Sequence, residues 1–439
     1  MYLKDIFKEI IKEGQEKEIP NIIPRNLEVP LNSNKIIVIT GPRRSGKTYF
    51  LYSIVKKLLN NNILKEQILF INFDDPKIQP LNAKDMELIL KSYYEMYPEM
   101  LNRTIYVFFD EIQNVKNWEL GVRKIYDTGK THMFITGSSS KLLSMEIATQ
   151  LRGRAINFLL LPFSFKEILA AKNLKISNDF IYSKKKFLAM HILEDYLSSG
   201  GFPEIVLEAN QEIRLKILKE YLDTMFFRDL VERYSIKNTF LLKDLIKYLI
   251  TNISTIFSIN GFYNWIKTIH PTIKRTIINY INYLEDINLF YFIKKFSFSM
   301  KEQSLRPRKC YLVDNGLREV HGFKFSEDKG RTLENIVFIE LKKRYANNPL
   351  IEIFYWHNNN QEVDFIVKRG KKVIELIQVC ANLDNYQTKD REIKSLINAS
   401  KEINCNKLIV ISFDRDKEEK IKGKKIQFIS ILKWLFYKT

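Results

Sequence analysis

The sequence predicts an α/β protein in which a parallel sheet with helices on both faces is followed by a helical middle and a smaller α/β segment. Two observations indicate this class. Apolar runs typical of buried strands alternate with helical stretches up to about residue 165. Beyond that point the pattern is helical, then helices followed by paired strands, then strands and helices again. The predicted segments are 1–165, 166–240, 241–330 and 331–439.

Strand-like runs in the first segment predict the N-terminal sheet. Each run is continuous and apolar, as in strands that are buried on both faces of a parallel sheet. Helical stretches over 47–60 and 84–98 connect them. The runs are KIIVIT at 35–40, QILFINF at 67–73, TIYVFFDE at 104–111 and HMFITGS at 132–138.

The chain is strongly basic. Its 439 residues include 70 Lys and Arg against 51 Asp and Glu, which gives a formal net charge of +19. This charge favours a polyanionic partner, above all nucleic acid, although lysine enrichment also follows from an AT-rich genome or a hot habitat. The hydrophobic share of 45% is ample for real cores and excludes a disordered chain.

The sequence lacks the patterns of membrane, secreted and zinc-binding proteins. The sequence contains no run of about 18 uncharged apolar residues, and residues 1–20 form a charged amphipathic stretch without the layout of a signal peptide. We therefore expect a soluble, cytoplasmic chain with no membrane contact. Cys310, Cys380 and Cys405 lie far apart and lack metal-ligand spacing, so neither a disulfide framework nor a zinc site is expected.

A phosphate-binding loop is the strongest motif. GPRRSGKT at 41–48 fits the pattern G-x-x-x-x-G-K-S/T and lies between an apolar strand and a helix, as a P-loop requires. Its glycines let backbone N–H groups surround phosphates, and the helix N-terminus adds its positive dipole end. Lys47 is expected to contact the β- and γ-phosphates of a nucleotide, and Thr48 to bind Mg²⁺. The predicted nucleotide-binding residues are Gly41, Pro42, Arg43, Arg44, Ser45, Gly46, Lys47 and Thr48.

Two acids follow another strand of the same predicted sheet. Asp110 and Glu111 end the run TIYVFFDE, and ligands of open parallel sheets bind at the carboxyl ends of the strands. We expect Asp110 to hold the Mg²⁺ through water, and Glu111 to be the general base that orients the attacking water. Together with the P-loop, these acids predict a P-loop NTPase that hydrolyses its nucleotide.

Other polar residues near the expected nucleotide site can each be interpreted in two ways. Ser138, in ITGSSS, either senses the γ-phosphate or caps the next helix. Arg152 and Arg154, in LRGRA, either place a guanidinium on the γ-phosphate of a neighbouring subunit in a homo-oligomer or form a solvated surface pair. Arg43 and Arg44 either bind phosphate or face a substrate or partner.

The middle of the chain predicts a winged helix-turn-helix. Helical stretches over 241–253, 262–269 and 271–289 precede FYFIKKFSFS and RKCYLV, which read as a hairpin around a basic connection. Pro271 is expected in the first turn of the third helix. The apolar positions of that helix, expected to be core, are Ile277, Ile278, Ile281 and Leu284.

Basic residues of this segment either clamp the phosphates of DNA or belong to a protein-docking module or rigid lid. Positive charge of this kind fixes the register on a duplex without reading its bases. The residues are Lys274 and Arg275 on the third helix, and Lys294, Lys295, Lys301, Arg306, Arg308 and Lys309 on the wing.

A set of motifs spread nearly end to end resembles AAA-type ATPases of archaea and bacteria that have a C-terminal domain of unknown function. The motifs are GPRRSGKT, FFDEIQNV, ITGSSSKLLSMEIATQLRGRA, LLPFSFKEIL, YLSSGGFPEIV, KCYLVDNGL and EVDFIV. The resemblance implies an AAA-type P-loop core that binds ATP, a winged-helix middle and a C-terminal domain similar to restriction-endonuclease folds. It does not name a substrate.

The C-terminal segment contains part of a nuclease pattern, in which an Asp on one strand and a Glu-x-Lys on the next bind a metal and activate water. Asp364 fits the first position. The Glu-x-Lys element can be aligned in two ways, and each alignment supplies only one of its two residues, either Glu375 at the Glu position or Gln378 at the Lys position. Because side chains alternate along a strand, these two residues lie on opposite faces. Glu334 and Glu340 on the preceding helix are further carboxylates. We therefore expect a decayed fold used for binding.

Three functional hypotheses follow. The leading one is an ATP-hydrolysing switch whose nucleotide state repositions the winged helix and the C-terminal segment on DNA. The second is a nucleotide-gated module that binds a protein partner and no DNA. The third is an ATP-dependent nuclease.

Overall fold

The computed structural model describes residues 3–137, 151, 153–174, 183–321 and 329–436. The chain divides into two compact units, Met1–Leu161 and Pro162–Thr439. Within the described part of the chain, every helix is too short or too polar to span a bilayer.

The first unit is built on a five-stranded sheet. Its strands and a separate short pair are β1 (Ile36–Thr40), β2 (Ile68–Asn72), β3 (Leu81–Asn82), β4 (Ile105–Asp110), β5 (Val115–Lys116), β6 (Thr131–Gly137) and β7 (Ala155–Leu159). The order is β2-β4-β6-β1-β7, and all neighbouring strands are parallel. β3 and β5 form the separate parallel pair.

Helices cover both faces of this sheet, as the sequence predicts. They are α1 (Leu3–Glu16), α2 (Lys47–Asn60), α3 (Met86–Met96) and α4 (Trp118–Tyr126). Ile36 and Val38 of β1 pack into one apolar cluster with α1, α3 and α4. Ile37 and Ile39 pack into a second cluster with α2. Because side chains alternate along a strand, a continuous apolar run fills both clusters.

The second unit contains helices, an eight-residue π-helix (Met225–Glu232) and a large sheet. Its helices are α5 (Phe165–Ala171), α6 (Lys185–Ser199), α7 (Pro203–Leu207), α8 (Gln211–Thr224), α9 (Thr239–Thr251), α10 (Ile259–Ile266), α11 (Lys274–Asp286), α12 (Met300–Leu305), α13 (Gly316–Glu319), α14 (Lys329–Tyr345), α15 (Tyr386–Ile403) and α16 (Ile431–Phe436). Its strands are β8 (Ile256–Phe257), β9 (Phe290–Lys295), β10 (Arg308–Leu312), β11 (Ile351–Asn358), β12 (Gln361–Arg369), β13 (Lys372–Val379), β14 (Leu408–Ser412), β15 (Lys417–Ile421) and β16 (Lys424–Ser430).

The predicted hairpin and the C-terminal strands share one sheet of order β15-β16-β14-β13-β12-β11-β9-β10-β8. β9 and β10 pair antiparallel, as expected. The other edge of β9 pairs parallel with β11, through Lys294 with Phe354 and Lys295 with Tyr355. The C-terminal strands therefore do not form the separate sheet that the local pattern suggested, because β9 offers them an unpaired edge.

The segment that the sequence predicts to be a winged helix differs from that prediction in three details. The third helix begins at Lys274, not at Pro271, because Ile273 before it is extended (φ −117°, ψ 151°). Ile278 is 37% exposed and is not core, whereas the other three apolar positions are buried. The basic connection of the hairpin contains α12.

Two of the motifs, SSGG at 198–201 and DNG at 314–316, meet in the second unit. Asp314 accepts hydrogen bonds from the backbone N–H groups of Gly201 (2.7 Å) and Gly316 (2.9 Å). Burial raises the pKa of Asp314 to about 6. A Cβ on Gly200, whose φ is +78°, would lie 1.6 Å from Asp314 Oδ1, so only glycine fits there. These motifs are thus explained by packing.

Candidate nucleotide-binding site

The loop between β1 and α2 has the backbone shape of an anion cradle. Arg44 and Gly46 have positive φ angles of 66° and 91°, so successive N–H groups turn toward the same concave side. A Cβ on Gly41 would lie 2.1 Å from the carbonyl oxygen of Leu160, so a side chain is excluded there. The local sequence and the packing of the residues after β7 therefore fix this loop together.

The polar groups of the loop fit a phosphate ligand. Lys47 is 4% exposed, and its Nζ donates to the carbonyl oxygens of Pro42 (3.2 Å) and Gly41 (3.3 Å). Ser45 Oγ is fully buried and has no hydrogen-bond partner among the described residues. No side-chain hydrogen bond caps the N-terminus of α2. A bound phosphate would satisfy such donors.

Asp110 links the loop to the neighbouring strands. Its Oδ2 accepts from Thr48 Oγ1 at 2.7 Å, and its Oδ1 accepts from Thr136 Oγ1 at 2.5 Å. Burial and the charge of Glu111 raise the pKa of Asp110, while the two hydroxyl donors and Lys47 oppose this rise. Thr48 and Asp110, predicted separately as Mg²⁺ ligands, are thus in contact and offer the oxygen atoms that Mg²⁺ prefers.

Glu111 follows Asp110 in a left-handed conformation, with φ of 52°. Its N–H donates to Thr136 Oγ1 at 3.0 Å, and its carboxylate accepts a hydrogen bond from Gln113. The side chain is half-buried. Thr136 therefore contacts both acids, and the sequence reasoning missed it. The available signal was its position as the polar residue that ends the apolar run HMFIT.

Arg25 is a second residue that the sequence reasoning missed. Its Nη1 donates to the carbonyl oxygen of Ser45 at 2.9 Å, and its Nη2 donates to the carbonyl oxygen of Leu161. One guanidinium therefore joins the P-loop to the residues that follow β7. No sequence signal marks this role, because a lone arginine before the first strand fits no motif.

The other predicted phosphate contacts have mixed outcomes. Ser138 and Arg152 lie outside the described residues. Arg154 Nε pairs with Asp127 at 3.2 Å, and its guanidinium lies 5.9 Å from the ring centre of Tyr126. Arg154 is thus bonded within its own chain, and its side chain is 31% exposed. Arg43 is half-buried and Arg44 is exposed.

Most of the basic residues that were predicted to contact phosphate in the segment 241–330 are exposed. Lys295 is half-buried, and Arg308 lies 3.6 Å from Glu285. Lys309 is wrongly placed by the prediction, because its side chain points away from solvent and is 2% exposed. The exposed basic residues are Lys274, Arg275, Lys294, Lys301 and Arg306.

The nuclease-like residues of the C-terminal segment do not converge on one point. Glu375 accepts from Tyr345 Oη at 2.9 Å, whereas Gln378 Nε2 donates to Glu392 at 2.7 Å. Asp364 accepts from Lys309 Nζ at 2.8 Å. Within the described ranges, no group of three or more His, Cys, Asp or Glu side chains is arranged to hold a metal ion.

The parallel sheet, the P-loop between β1 and α2, and the acids at the end of β4 define a P-loop ATPase fold of the AAA type. Residues 33–169 match the family model described as an AAA domain. Residues 190–327 and 329–434 match two domains of unknown function, DUF8612 and DUF4143.

Curated relatives place the whole chain in one family. It is 38% identical to the uncharacterized protein MJ1544 of Methanocaldococcus jannaschii, over 98% of this chain and 95% of that protein. It is 32% identical to an uncharacterized protein of Haemophilus influenzae, over 77% and 81% of the two chains. The chain belongs to the family of these proteins, and in this chain an AAA domain precedes two domains of unknown function.

Solved structures are more distant. The Walker-type ATPase PABY2304 of Pyrococcus abyssi is 14% identical, with a TM-score of 0.43 over 73% of this chain and 95% of that one. The ORC1 protein of Aeropyrum pernix, solved in complex with DNA, is 12% identical, with a TM-score of 0.29 over 73% and 90%. These similarities concern the fold alone.

Proposed function

We propose that this chain is an ATP-hydrolysing switch. The observation that supports it is the hydrogen-bonded series from Thr48 through Asp110 and Thr136 to the backbone of Glu111, directly beside the P-loop. This arrangement connects a phosphate cradle, a cation site and a candidate base by direct contacts. Loss of the γ-phosphate would therefore change the contacts of residues at the ends of both β4 and β6.

Each residue has a separate role in this proposal. The N–H groups of the loop and Lys47 bind the phosphates. Thr48 and Asp110 would hold Mg²⁺, which supplies positive charge against the developing negative charge on the phosphates. Glu111 accepts a proton from the attacking water, and Gln113 and Thr136 hold this residue in place.

In this proposal Arg25 positions the P-loop. Its removal should therefore impair the binding of ATP and not the hydrolysis step. We expect Arg25→Ala to raise the KM for ATP about tenfold with little change in kcat, because a hydrogen bond to a charged group contributes about 1.5–3 kcal/mol. Arg25→Lys should recover only part of the loss, since a single ammonium nitrogen replaces the two separate guanidinium nitrogens that reach Ser45 and Leu161. Steady-state ATPase kinetics measure both constants.

A matched control for this experiment is Arg103→Ala. Arg103 is exposed and precedes β4, at the opposite end of the strand from Asp110. It should leave both constants unchanged. If Arg25→Ala instead lowered kcat about tenfold and left KM unchanged, the positioning role would be contradicted.

We further propose that the switch contacts DNA through α11 and the wing. The exposed basic residues on these elements, together with the net charge of +19, support this partner. A basic helix end and a basic wing are placed to contact phosphates on both sides of a groove. A nucleotide that binds two states of the chain unequally would then change the affinity for DNA.

Removal of two of these charges should weaken DNA binding and its salt dependence together. In Lys274→Ala/Arg275→Ala we expect the slope of log K against log salt to fall by about 0.9 for each lost phosphate contact. Fluorescence anisotropy with duplex DNA, at several salt concentrations, measures this slope. The control is Lys371→Ala/Lys372→Ala, which removes two adjacent exposed lysines, one from the turn after β12 and one from the start of β13.

A protein-docking role is the second candidate. Apolar side chains at the wing are strongly exposed, and such patches favour protein contacts. Phe298 is 79% exposed, Met300 83% and Leu305 74%. An ATPase rate that is indifferent to DNA at low ionic strength, with no anisotropy change, would favour this role over DNA binding.

A further inference from the structure

The connection between β9 and β10, residues 296–307, presents apolar side chains to solvent. Phe298, Met300 and Leu305 are all strongly exposed, whereas Phe296 at the base of the connection is buried. Covering apolar side chains from water is favourable, so three of them on one short connection indicate a surface that is covered in a complex.

The exposed side chains stand on a connection with a defined shape. Ser297 Oγ donates to Glu302 at 2.8 Å, and Gln303 Nε2 donates to the carbonyl oxygen of Ser297 at 2.7 Å. The ring of Phe298 packs nearly perpendicular to the buried ring of Phe296, with 5.2 Å between the ring centres. An aromatic ring that is held in place before binding loses little conformational freedom when it contacts a partner.

Basic side chains are mixed with the apolar ones. Lys294 of β9, Lys301 of α12 and Arg306 after α12 are exposed. Lys301 and Leu305 are four residues apart on α12, so an ammonium and an apolar side chain are neighbours on one helix face. Residues 294–308 include five Lys and Arg against one acidic residue, and this excess of positive charge favours an anionic partner.

The two properties together narrow the chemistry of the partner. An apolar protein surface would cover the aromatic ring but would leave the cations without counter-charges. An undistorted DNA duplex would neutralise the cations, but its bases are stacked on one another and offer no ring face to Phe298. Single-stranded DNA offers both groups, because its phosphates are charged and its unstacked bases present flat faces to aromatic side chains.

We propose that residues 296–307 form a contact site for single-stranded DNA in which the ring of Phe298 stacks on a base. Lys294, Lys301 and Arg306 contact the neighbouring phosphates. This inference rests on the proposed contact with DNA and names the form of DNA that this part of the surface takes. Stacking on an aromatic ring tolerates every base, so the contact selects an unpaired strand and not a particular sequence.

The test is fluorescence anisotropy of the full chain with a labelled oligothymidine single strand and with a labelled duplex, in Mg²⁺-ATP and again without nucleotide. We expect Phe298→Ala to weaken single-strand binding about 5- to 150-fold, the range that stacking of one base contributes, and to leave duplex binding unchanged. The slope of log K against log salt should stay the same, because the substitution removes no charge.

Further substitutions at this position separate stacking from the burial of an apolar side chain. Phe298→Tyr keeps an aromatic ring and should bind the single strand like the native chain. Phe298→Leu keeps an apolar side chain without a ring and should bind like Phe298→Ala. Phe240→Ala is the matched control, since Phe240 is 74% exposed on α9, outside the connection. It should bind both forms of DNA with native affinity.

Each outcome decides the proposal. It is overturned if Phe298→Ala binds the single strand with native affinity, if it loses equal affinity for both forms, or if Phe298→Leu recovers binding as well as Phe298→Tyr. The first of these results would favour a protein partner for the exposed apolar side chains. A native chain that binds the duplex but no single strand would contradict this inference alone. A native chain that binds neither form, with or without nucleotide, would contradict the proposed contact with DNA as well.

Discussion

Glu111→Gln is expected to bind ATP like the native chain and to lose hydrolysis by about 10²–10⁴-fold, the range that a positioned general base contributes. Glutamine keeps the size of the side chain and its capacity to accept a hydrogen bond from Gln113, but it does not accept the proton of water. The left-handed backbone at residue 111 is also retained, because only the carboxylate changes. Binding and single-turnover hydrolysis, measured separately, test this expectation.

The control for this variant is Glu99→Gln, which changes an exposed glutamate before β4. It should keep full turnover. Retained turnover in Glu111→Gln would mean that the base is a different residue.

Lys47→Ala is expected to weaken ATP binding by about 10- to 100-fold, because charge-assisted hydrogen bonds contribute about 1.5–3 kcal/mol each. In the structure the Lys47 ammonium is held over the loop by the carbonyl oxygens of Gly41 and Pro42. It therefore needs little reorganisation to reach a phosphate. Isothermal titration with ATP and Mg²⁺ measures the change in affinity.

Lys56→Ala is the matched control, since Lys56 is an exposed residue on the same helix. It should bind ATP with native affinity. Equal affinities of the native chain and Lys47→Ala would contradict the assignment of the loop.

These two variants separate the two halves of the proposed mechanism. Loss of binding in Lys47→Ala with retained binding in Glu111→Gln places the phosphates at the loop and the chemistry at the end of β4. A fall of binding in both variants would instead indicate that the Glu111 carboxylate contributes to nucleotide binding.

Local sequence was sufficient for four of the five strands in the main sheet of the first unit and for α2 and α3, whereas β7, β3, β5 and α4 were not predicted. The helix predicted over 47–60 is α2, with those bounds, and each predicted strand is present within one or two residues. Continuous apolar runs and a glycine-rich turn are patterns of a few neighbouring residues, so the structure that they predict does not depend on distant parts of the chain. The contact of Thr48 with Asp110 also follows, because the loop that leads to Thr48 leaves the carboxyl end of β1 and Asp110 ends β4 at the same edge of the sheet.

Contacts between residues that are far apart in the chain could not be predicted from local sequence patterns. Lys309 was assigned to a solvated wing because its neighbours in sequence are basic, yet its partners come from residues 334, 362 and 364. The pairing of β9 with β11 is likewise set by which strand edges meet, and no local pattern encodes it. Arg25 belongs to the same group, because it acts through carbonyl oxygens at positions 45 and 161.

The small error at Pro271 has a local cause. Proline is common in the first turn of a helix, which favoured a start at that residue. The extended backbone at Ile273 delays the helix by one turn, so Lys274 and Arg275 open α11. The shift leaves both charges exposed at the end of the helix, where a contact with phosphate is proposed.

The most direct test of the central claim is an equilibrium titration of the native chain with labelled ATP in the presence of Mg²⁺. We predict saturable binding at one site per chain that unlabelled ATP displaces and that Lys47→Ala weakens. A linear, non-saturable signal from folded native protein would contradict the assignment of the P-loop and, with it, the proposed switch.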